Sequence, residues 1–260
     1  MKYSYHELAK MIDHSLLHPT MTDLDLVDGC RLAAKYRVAS VCIKPYAVKR
    51  AKELMEGSGV FVGCVIGFPH GSSCTESKRY ETELACRDGA DEIDMVVNLG
   101  KALSGDWDYI EQDVKAVCDE AHQHGAKVKV IFENDFLTEG GAGLNSDDFK
   151  KKLCQICERA GADWVKTSTG YGFVKQADGS YSYKGATEHD LALMRSSCSE
   201  KVQVKAAGGV RDLDGLIKVR DLGGTRCGAT ATAEMLDDYR QREAAGKSPE
   251  NDGELGTGGY

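Results

Sequence analysis

Ala160-Gly161-Ala162-Asp163-Trp164-Val165-Lys166-Thr167-Ser168-Thr169-Gly170 is the stretch that decides how this chain folds. Its first residues close a helix on Gly161, since a glycine just past a helix supplies the left-handed cap. The next residues, 163–168, read as a short strand that stops at Gly170. The same device stands 36 residues earlier in His124-Gly125-Ala126-Lys127, and 36 before that in Asp88-Gly89-Ala90-Asp91. Leu222-Gly223-Gly224-Thr225 repeats it 62 residues later, after enough chain for two units. A helix-plus-strand unit recurring at this length predicts a wound α/β fold.

Working outward, eight strands are expected, at 11–17, 38–44, 60–68, 92–98, 127–133, 163–168, 202–207 and 225–230. Between them run stretches with apolar residues at helical spacing, such as Ile110, Val114, Val117 and Ala121, then Phe149, Leu153, Ile156 and Ala160. Thr22 with Asp25, and Thr187 with Asp190, have the form of helix caps. Eight alternating pairs predict a (β/α)8 TIM barrel, with the residues before Met11 as an extra N-terminal helix closing its bottom. An open doubly wound sheet is the competing architecture. A chain of 260 residues suits one such domain, 1–245, followed by a flexible, disordered tail at 246–260.

The net charge of −8, from 33 basic against 41 acidic residues, argues against nucleic acid or an acidic membrane as partner. No apolar run approaches the roughly 20 residues of a membrane helix, and the first residues lack a signal-peptide core. Ten cysteines scattered singly read as reduced thiols of a cytoplasmic protein. Cys154 and Cys157, mid-helix and without a second ligand pair, read as core packing. His122 and His124 do not share a helix face, so neither a metal nor another cofactor is expected. His14, His18 and His70 flank strand ends, where one of them could line a cavity.

Alternation gives each strand an inside and an outside. In 163–168 it places Trp164, Lys166 and Ser168 on one face. In 92–98 it turns Glu92, Asp94 and Asn98 inward, in 127–133 Lys129 and Glu133, and in 202–207 Gln203, Lys205 and Ala207. Polar groups converging on one lumen are costly unless they do chemistry. A lysine ordinarily titrates near about 10.4, but burial and a neighbouring cation both favour the free amine, which attacks carbonyls to form a Schiff base. Lys205 can supply that cation, because neighbouring strands lie about 4.8 Å apart. Asp94 can carry the protons that Schiff-base formation and breakdown require. One amine, one activating cation and one carboxylate make the equipment of a class I aldolase.

Glycines end the last two strands, in Gly208-Gly209 and Gly228-Ala229-Thr230. Barrels often bind phosphate there through backbone N–H groups and a helix N-terminus, so a sugar phosphate is the expected substrate. After the sixth strand a long aromatic loop, 170–185, carries Tyr171, Phe173, Tyr181 and Tyr183. It is either a lid over the site or a surface hairpin turning at Asp178-Gly179.

Several of these stretches resemble deoxyribose-phosphate aldolases: Ile-Asp-His-Ser-Leu-Leu at 12–17, Val-Cys-Ile-Lys-Pro at 41–45, Val-Ile-Gly-Phe-Pro-His-Gly at 65–71 and Glu-Ile-Asp-Met-Val at 92–96. Val-Lys-Thr-Ser-Thr-Gly at 165–170 and Val-Lys-Ala-Ala-Gly-Gly-Val-Arg at 204–211 continue the likeness in order. The resemblance implies a metal-free barrel enzyme that reversibly cleaves 2-deoxy-D-ribose 5-phosphate to acetaldehyde and D-glyceraldehyde 3-phosphate. It implies Lys166 as the Schiff-base lysine, Lys205 as the group that perturbs it and relays protons, and Asp94 as a proton shuttle. Asp13, Cys42 and Thr169 would line the site near a substrate hydroxyl, and Gly208, Gly209 and Gly228 would hold phosphate. Tyr260 is similar to a terminal tyrosine in some members, whose hydroxyl would assist proton transfer at the enamine. A homodimer is the assembly carried with this reading. Two changes depart from the pattern: Tyr171 stands where some members have lysine, and Thr230 and Ala231 replace a usual pair of serines; both thin the phosphate site. Another phosphosugar lyase or isomerase, or a barrel that only binds sugar phosphate, would use much of the same sequence.

Overall fold

The computed structural model describes residues 2–246 and residue 255. In chain order its strands are β1 (Ile12–Leu16), β2 (Ser40–Ile43), β3 (Phe61–Ile66), β4 (Glu92–Val96), β5 (Lys127–Ile131), β6 (Trp164–Lys166), β7 (Val174–Lys175), β8 (Tyr181–Ser182), β9 (Gln203–Ala207) and β10 (Arg226–Ala229). All but β7 and β8 pair in parallel and close into an eight-stranded barrel, with β10 returning to β1. β7 and β8 form a separate antiparallel hairpin between the sixth and seventh barrel strands. The TIM barrel is therefore the observed architecture.

The helix-ending glycines behave as their spacing predicts: Gly89, Gly125 and Gly161 have φ of +108°, +77° and +93°, which an L side chain rarely adopts. Outward-facing Ile93, Met95, Val128, Val130, Val202 and Val204 are buried against helix residues such as Ile110, Val114, Val117, Phe149, Leu153 and Ile156. Each such side chain contributes about 1.5–3 kcal/mol on burial, so the outer layer, not the polar lumen, stabilises the barrel. Before β1 the helix Tyr5–Ala9 carries a capping box of Ser4 and Glu7. The following Lys10 donates its amine to the carbonyls of Val38 (2.9 Å) and Gly59 (3.1 Å), in the chain leading into β2 and β3. The N-terminal helix thus lies at the bottom of the barrel.

The strands end sooner than alternation suggests. β4 stops at Val96, and Asn98, expected to face inward, instead accepts the Lys101 N–H (3.2 Å) as cap of the helix Leu99–Leu103. Asparagine is a strong N-cap, and past the last ladder bond the period-2 rule no longer holds. The expected flexible tail, 246–260, lies outside the described residues except for Gly246 and for Leu255, whose side chain rests beside Gly215 and the core.

Candidate active site

Parallel register sets the site. Lys166 on β6 lies opposite Lys205 on β9, Lys205 opposite Arg226 on β10, and Asp94 on β4 opposite Lys129 on β5. Partners in register on neighbouring strands point to the same side of the sheet, so four cationic side chains and Asp94 share the lumen. Glu92 and Asp13 join them from β4 and β1, and all seven groups are buried.

Their contacts form one network. Asp94 Oδ2 accepts from Lys166 Nζ and from Lys205 Nζ, each at 2.7 Å, while its Oδ1 accepts from Lys129 Nζ at 2.8 Å. Lys129 also reaches Glu92 (2.6 Å), and Lys205 lies 2.6 Å from Asp13 Oδ2. Arg226 bridges Asp13 and Glu92, donating to each at 2.6 Å. Ser40 donates to Asp13 at 2.7 Å. Below them the Trp164 ring faces Lys129 and Arg226, with charge-to-centroid distances of 5.7 and 5.3 Å.

The balance of charge singles out Lys166. Lys129, Lys166, Lys205 and Arg226 face three carboxylates, Asp13, Glu92 and Asp94, so the full set carries one positive charge too many for a dry lumen. Lys205 lies against both Asp13 and Asp94, which hold its pKa well above the ordinary lysine value against the opposing effect of burial. Lys129 is raised by the same carboxylates. Asp13 and Asp94 are held far below the usual carboxylate range, because the surrounding lysines outweigh burial. Lys166 alone goes the other way: burial lowers its pKa, the Lys205 charge lowers it further, and Asp94 only partly opposes them. It is the cation the network can give up.

The remaining residues named from the sequence spread around this centre. Cys42 on β2 is buried, with Sγ 3.9 Å from Asp94 Oδ2, and burial raises its thiol pKa. Asp13 on β1 is buried as a counter-ion to Lys205 and Arg226. Thr169 donates both its N–H and its hydroxyl to Glu133 and accepts the Tyr171 N–H at 2.9 Å. With its proton committed to Glu133, its oxygen can only accept from a ligand. Gly208, Gly209 and Gly228 do come together, lining one cavity of about 370 Å³ with Tyr183, Val210, Arg211, Ala229, Thr230 and Ala231. The helix Thr232–Ala244 begins at its edge, where its N-terminal amides favour an anion. Tyr260 lies outside the described residues.

Three residues of this centre carried no role from the sequence. Arg226 is visible in principle as an inward position at the start of its strand, but its two carboxylate partners lie 213 and 134 residues away in the chain. Arg211 directly follows Gly208-Gly209-Val210, and that adjacency was the available signal. Tyr183 belongs to the aromatic loop legible in the sequence, but nothing local tells which of its four aromatics turns to the cavity. The histidines play no part at the centre. His14 turns outward, with its ring Nδ1 2.8 Å from Thr232 Oγ1, and burial lowers its pKa to about 4. His122 and His124 pair with Asp163 and Glu120. Among the described residues no group of His, Cys, Asp and Glu is arranged to hold a metal ion.

Comparison with known proteins adds relatives to this geometry. Residues 8–229 match the model of the DeoC/LacD family aldolases. The chain is 50% identical over 240 residues to the deoxyribose-phosphate aldolase of Rhodopirellula baltica, covering 92% of each protein. To that of Aciduliprofundum boonei it is 41% identical over 231 residues, covering 89% of this chain and 96% of the relative. Among solved structures, the tetrameric deoxyribose phosphate aldolase of Aeropyrum pernix is similar with a TM-score of 0.78 at 29% identity, covering 91% of this chain and 92% of that one.

Proposed function

The chain belongs to the DeoC/LacD family of aldolases, and we propose that Lys166 is the residue through which it cleaves 2-deoxy-D-ribose 5-phosphate. The enzyme is an aldehyde-lyase of class I, and its products are D-glyceraldehyde 3-phosphate and acetaldehyde, formed reversibly. The observation that carries the assignment of roles is the shared oxygen: Asp94 Oδ2 lies 2.7 Å from both the Lys166 and the Lys205 nitrogens.

Uncharged Lys166 attacks the C1 aldehyde of the open-chain sugar, and loss of water gives an iminium. Lys205 passes a proton through Asp94 Oδ2, the oxygen it shares with Lys166, to the hydroxyl, which departs as water. The iminium then serves as electron sink. When the C3 hydroxyl gives its proton to the ionised Asp94 carboxylate, the C2–C3 bond breaks, glyceraldehyde phosphate leaves, and the electron pair remains as an enamine. Protonation at C2 and hydrolysis release acetaldehyde and regenerate the amine. Thr169 accepts from a substrate hydroxyl, Cys42 walls the site beside Asp94, and the amides around Gly208, Gly209 and Gly228 hold the phosphate. A part for Tyr260 in protonating C2 belongs to the same proposal.

The reading extends to the setting of the enzyme. Small sugar phosphates and aldehydes are its partners, and residues 1–245 act as one domain. We retain a homodimer working in the cytoplasm, which sedimentation of the purified chain and localisation of a tagged copy test; no helix among the described residues is long and apolar enough to cross a membrane.

Borohydride reduction in the presence of acetaldehyde tests the central claim. Peptide mapping should find the reduced adduct on Lys166. Adduct elsewhere, or turnover by Lys166→Arg at the parent rate, refutes it. A lysine base without a covalent step would give no adduct, and a barrel that only binds sugar phosphate would release no acetaldehyde in a coupled assay.

A further inference from the structure

The excursion between β6 and β9 is anchored at both roots by one turn. Where β5 ends, Glu133 takes a left-handed conformation (φ +56°) and Asp135 follows in a short 3-10 turn. Glu133 receives the Thr169 N–H and hydroxyl at the outgoing root. Gly172 then crosses directly over it, since a Cβ there would lie 2.4 Å from Glu133 Cδ. Asp135 receives the N–H groups of Lys184 (2.6 Å) and Gly185 (3.0 Å) at the returning root. Between the roots, β7 and β8 turn through Asp178-Gly179.

The returning root lands on the anion cavity. Ala186 donates its N–H to the Gly208 carbonyl at 3.1 Å, and a Cβ on Gly185 would come within 2.7 Å of Gly208 backbone atoms. Glycine at 185, with φ +75°, is what permits that approach. The Tyr183 ring lies over Gly208 itself: its Cε2 is 3.1 Å from where a Gly208 Cβ would stand. Only 7% exposed, Tyr183 is held from behind by Phe173, with centroids 5.2 Å apart and planes at 84°. It is the one residue of the excursion that lines the cavity formed by Gly208, Gly209, Val210, Arg211 and Gly228.

We propose that Tyr183 is a specificity-determining residue for the phosphate end of the substrate, and that Asp135 is the positioning residue that holds it there. The inference rests on the proposed sugar-phosphate substrate and extends it. With tyrosine at 171, threonine at 230 and alanine at 231, the cavity lining among the described residues holds one side-chain cation, Arg211, and no serine hydroxyl. The excursion adds to this lining by laying the Tyr183 ring across the cavity, which excludes water from the amides. Charge-assisted hydrogen bonds gain strength when water is kept out. The 170–185 loop is thus a fixed wall of the phosphate pocket.

Steady-state kinetics of the full chain on 2-deoxyribose 5-phosphate and on unphosphorylated 2-deoxyribose test this. In Tyr183→Ala and Asp135→Asn, KM for the phosphorylated sugar should rise roughly tenfold with kcat little changed, the mark of lost uniform binding. The ratio of kcat/KM between the two sugars should fall with it. Tyr183→Phe should recover the share due to the ring alone. Equal effects on both sugars, or a lower KM for the phosphorylated sugar in Tyr183→Ala, overturn the proposal. If Asp135→Asn does not fold, Tyr183→Ala decides alone. Absence of acetaldehyde release by the parent enzyme would instead sink the proposed function, so the two failures are distinguishable.

Discussion

Lys166 and Lys205 donate to one and the same atom, Asp94 Oδ2, so their nitrogens are no farther apart than twice 2.7 Å. Two ammonium groups that close cannot both keep a proton cheaply in a dry lumen. Lys205 also has Asp13 at 2.6 Å and Lys166 does not, which decides which of the two yields.

Replacing Lys205 by methionine should move the acid limb of kcat/KM to higher pH. The Lys205 charge lowers the Lys166 pKa, so without it Lys166 keeps its proton to higher pH and the free amine appears later. Rate should fall as well, since a proton relay is lost. A pH–rate profile in which the acid limb stays in place or moves down contradicts the assignment.

Asp94→Asn separates charge from shape. The amide keeps the volume but cannot carry protons, so kcat should fall by about 100-fold or more. Removing the acceptor of three lysines should also cost stability, by about 3–5 kcal/mol for a broken buried pair. Chemical denaturation and single-turnover kinetics read the two effects independently. Near-parent turnover would exclude Asp94 as proton carrier.

Glu133 gives a stability signature of the opposite sign to the usual carboxylate. Burial raises its pKa from 4.5 to about 7, against the Thr169 hydrogen bonds. In that window the folded state holds a proton that the unfolded state has released, so stability falls as pH rises from about 4.5 to about 7. The full effect is about 3 kcal/mol, and it is absent below the unfolded pKa. Glu133→Gln should remove this slope. Urea unfolding of both proteins at pH 5 and pH 8 is the check, and equal slopes would mean the group is not buried in the ionised form's disfavour.

Far from the chemistry, Lys78 and Asp113 form a buried pair at 2.6 Å, and Lys78 also donates to the Val96 carbonyl at the end of β4. Lys78→Met leaves Asp113 buried with only the Thr75 hydroxyl (2.9 Å) and should cost about 3–5 kcal/mol. Lys78→Met combined with Asp113→Leu should recover most of it, because an apolar pair of similar size is often as stable as the ion pair. Additive losses in the double variant, measured by denaturant melts, would show that the two side chains act separately.

Much of this protein is written in local pattern. Helix-ending glycines at 89, 125 and 161, together with period-2 alternation, specify the barrel, because cap geometry and strand pleat act over only a few residues. The same alternation turns Lys166, Lys205, Asp94 and Lys129 inward, and the resemblance of short motifs names the chemistry. Tertiary structure alone decided what these residues do to one another. Asn98 left the lumen because a cap outbids a strand position once the ladder ends. Asp13 became a counter-ion because Arg226 and Lys205 arrive from the far end of the chain to meet it. Tyr183 reached the cavity at Gly208 because Asp135 holds the neighbouring Lys184 amide, 49 residues away in sequence. Electrostatic pairing and close packing depend on distance in space, and a one-dimensional pattern encodes that distance only within a turn of helix or a length of strand.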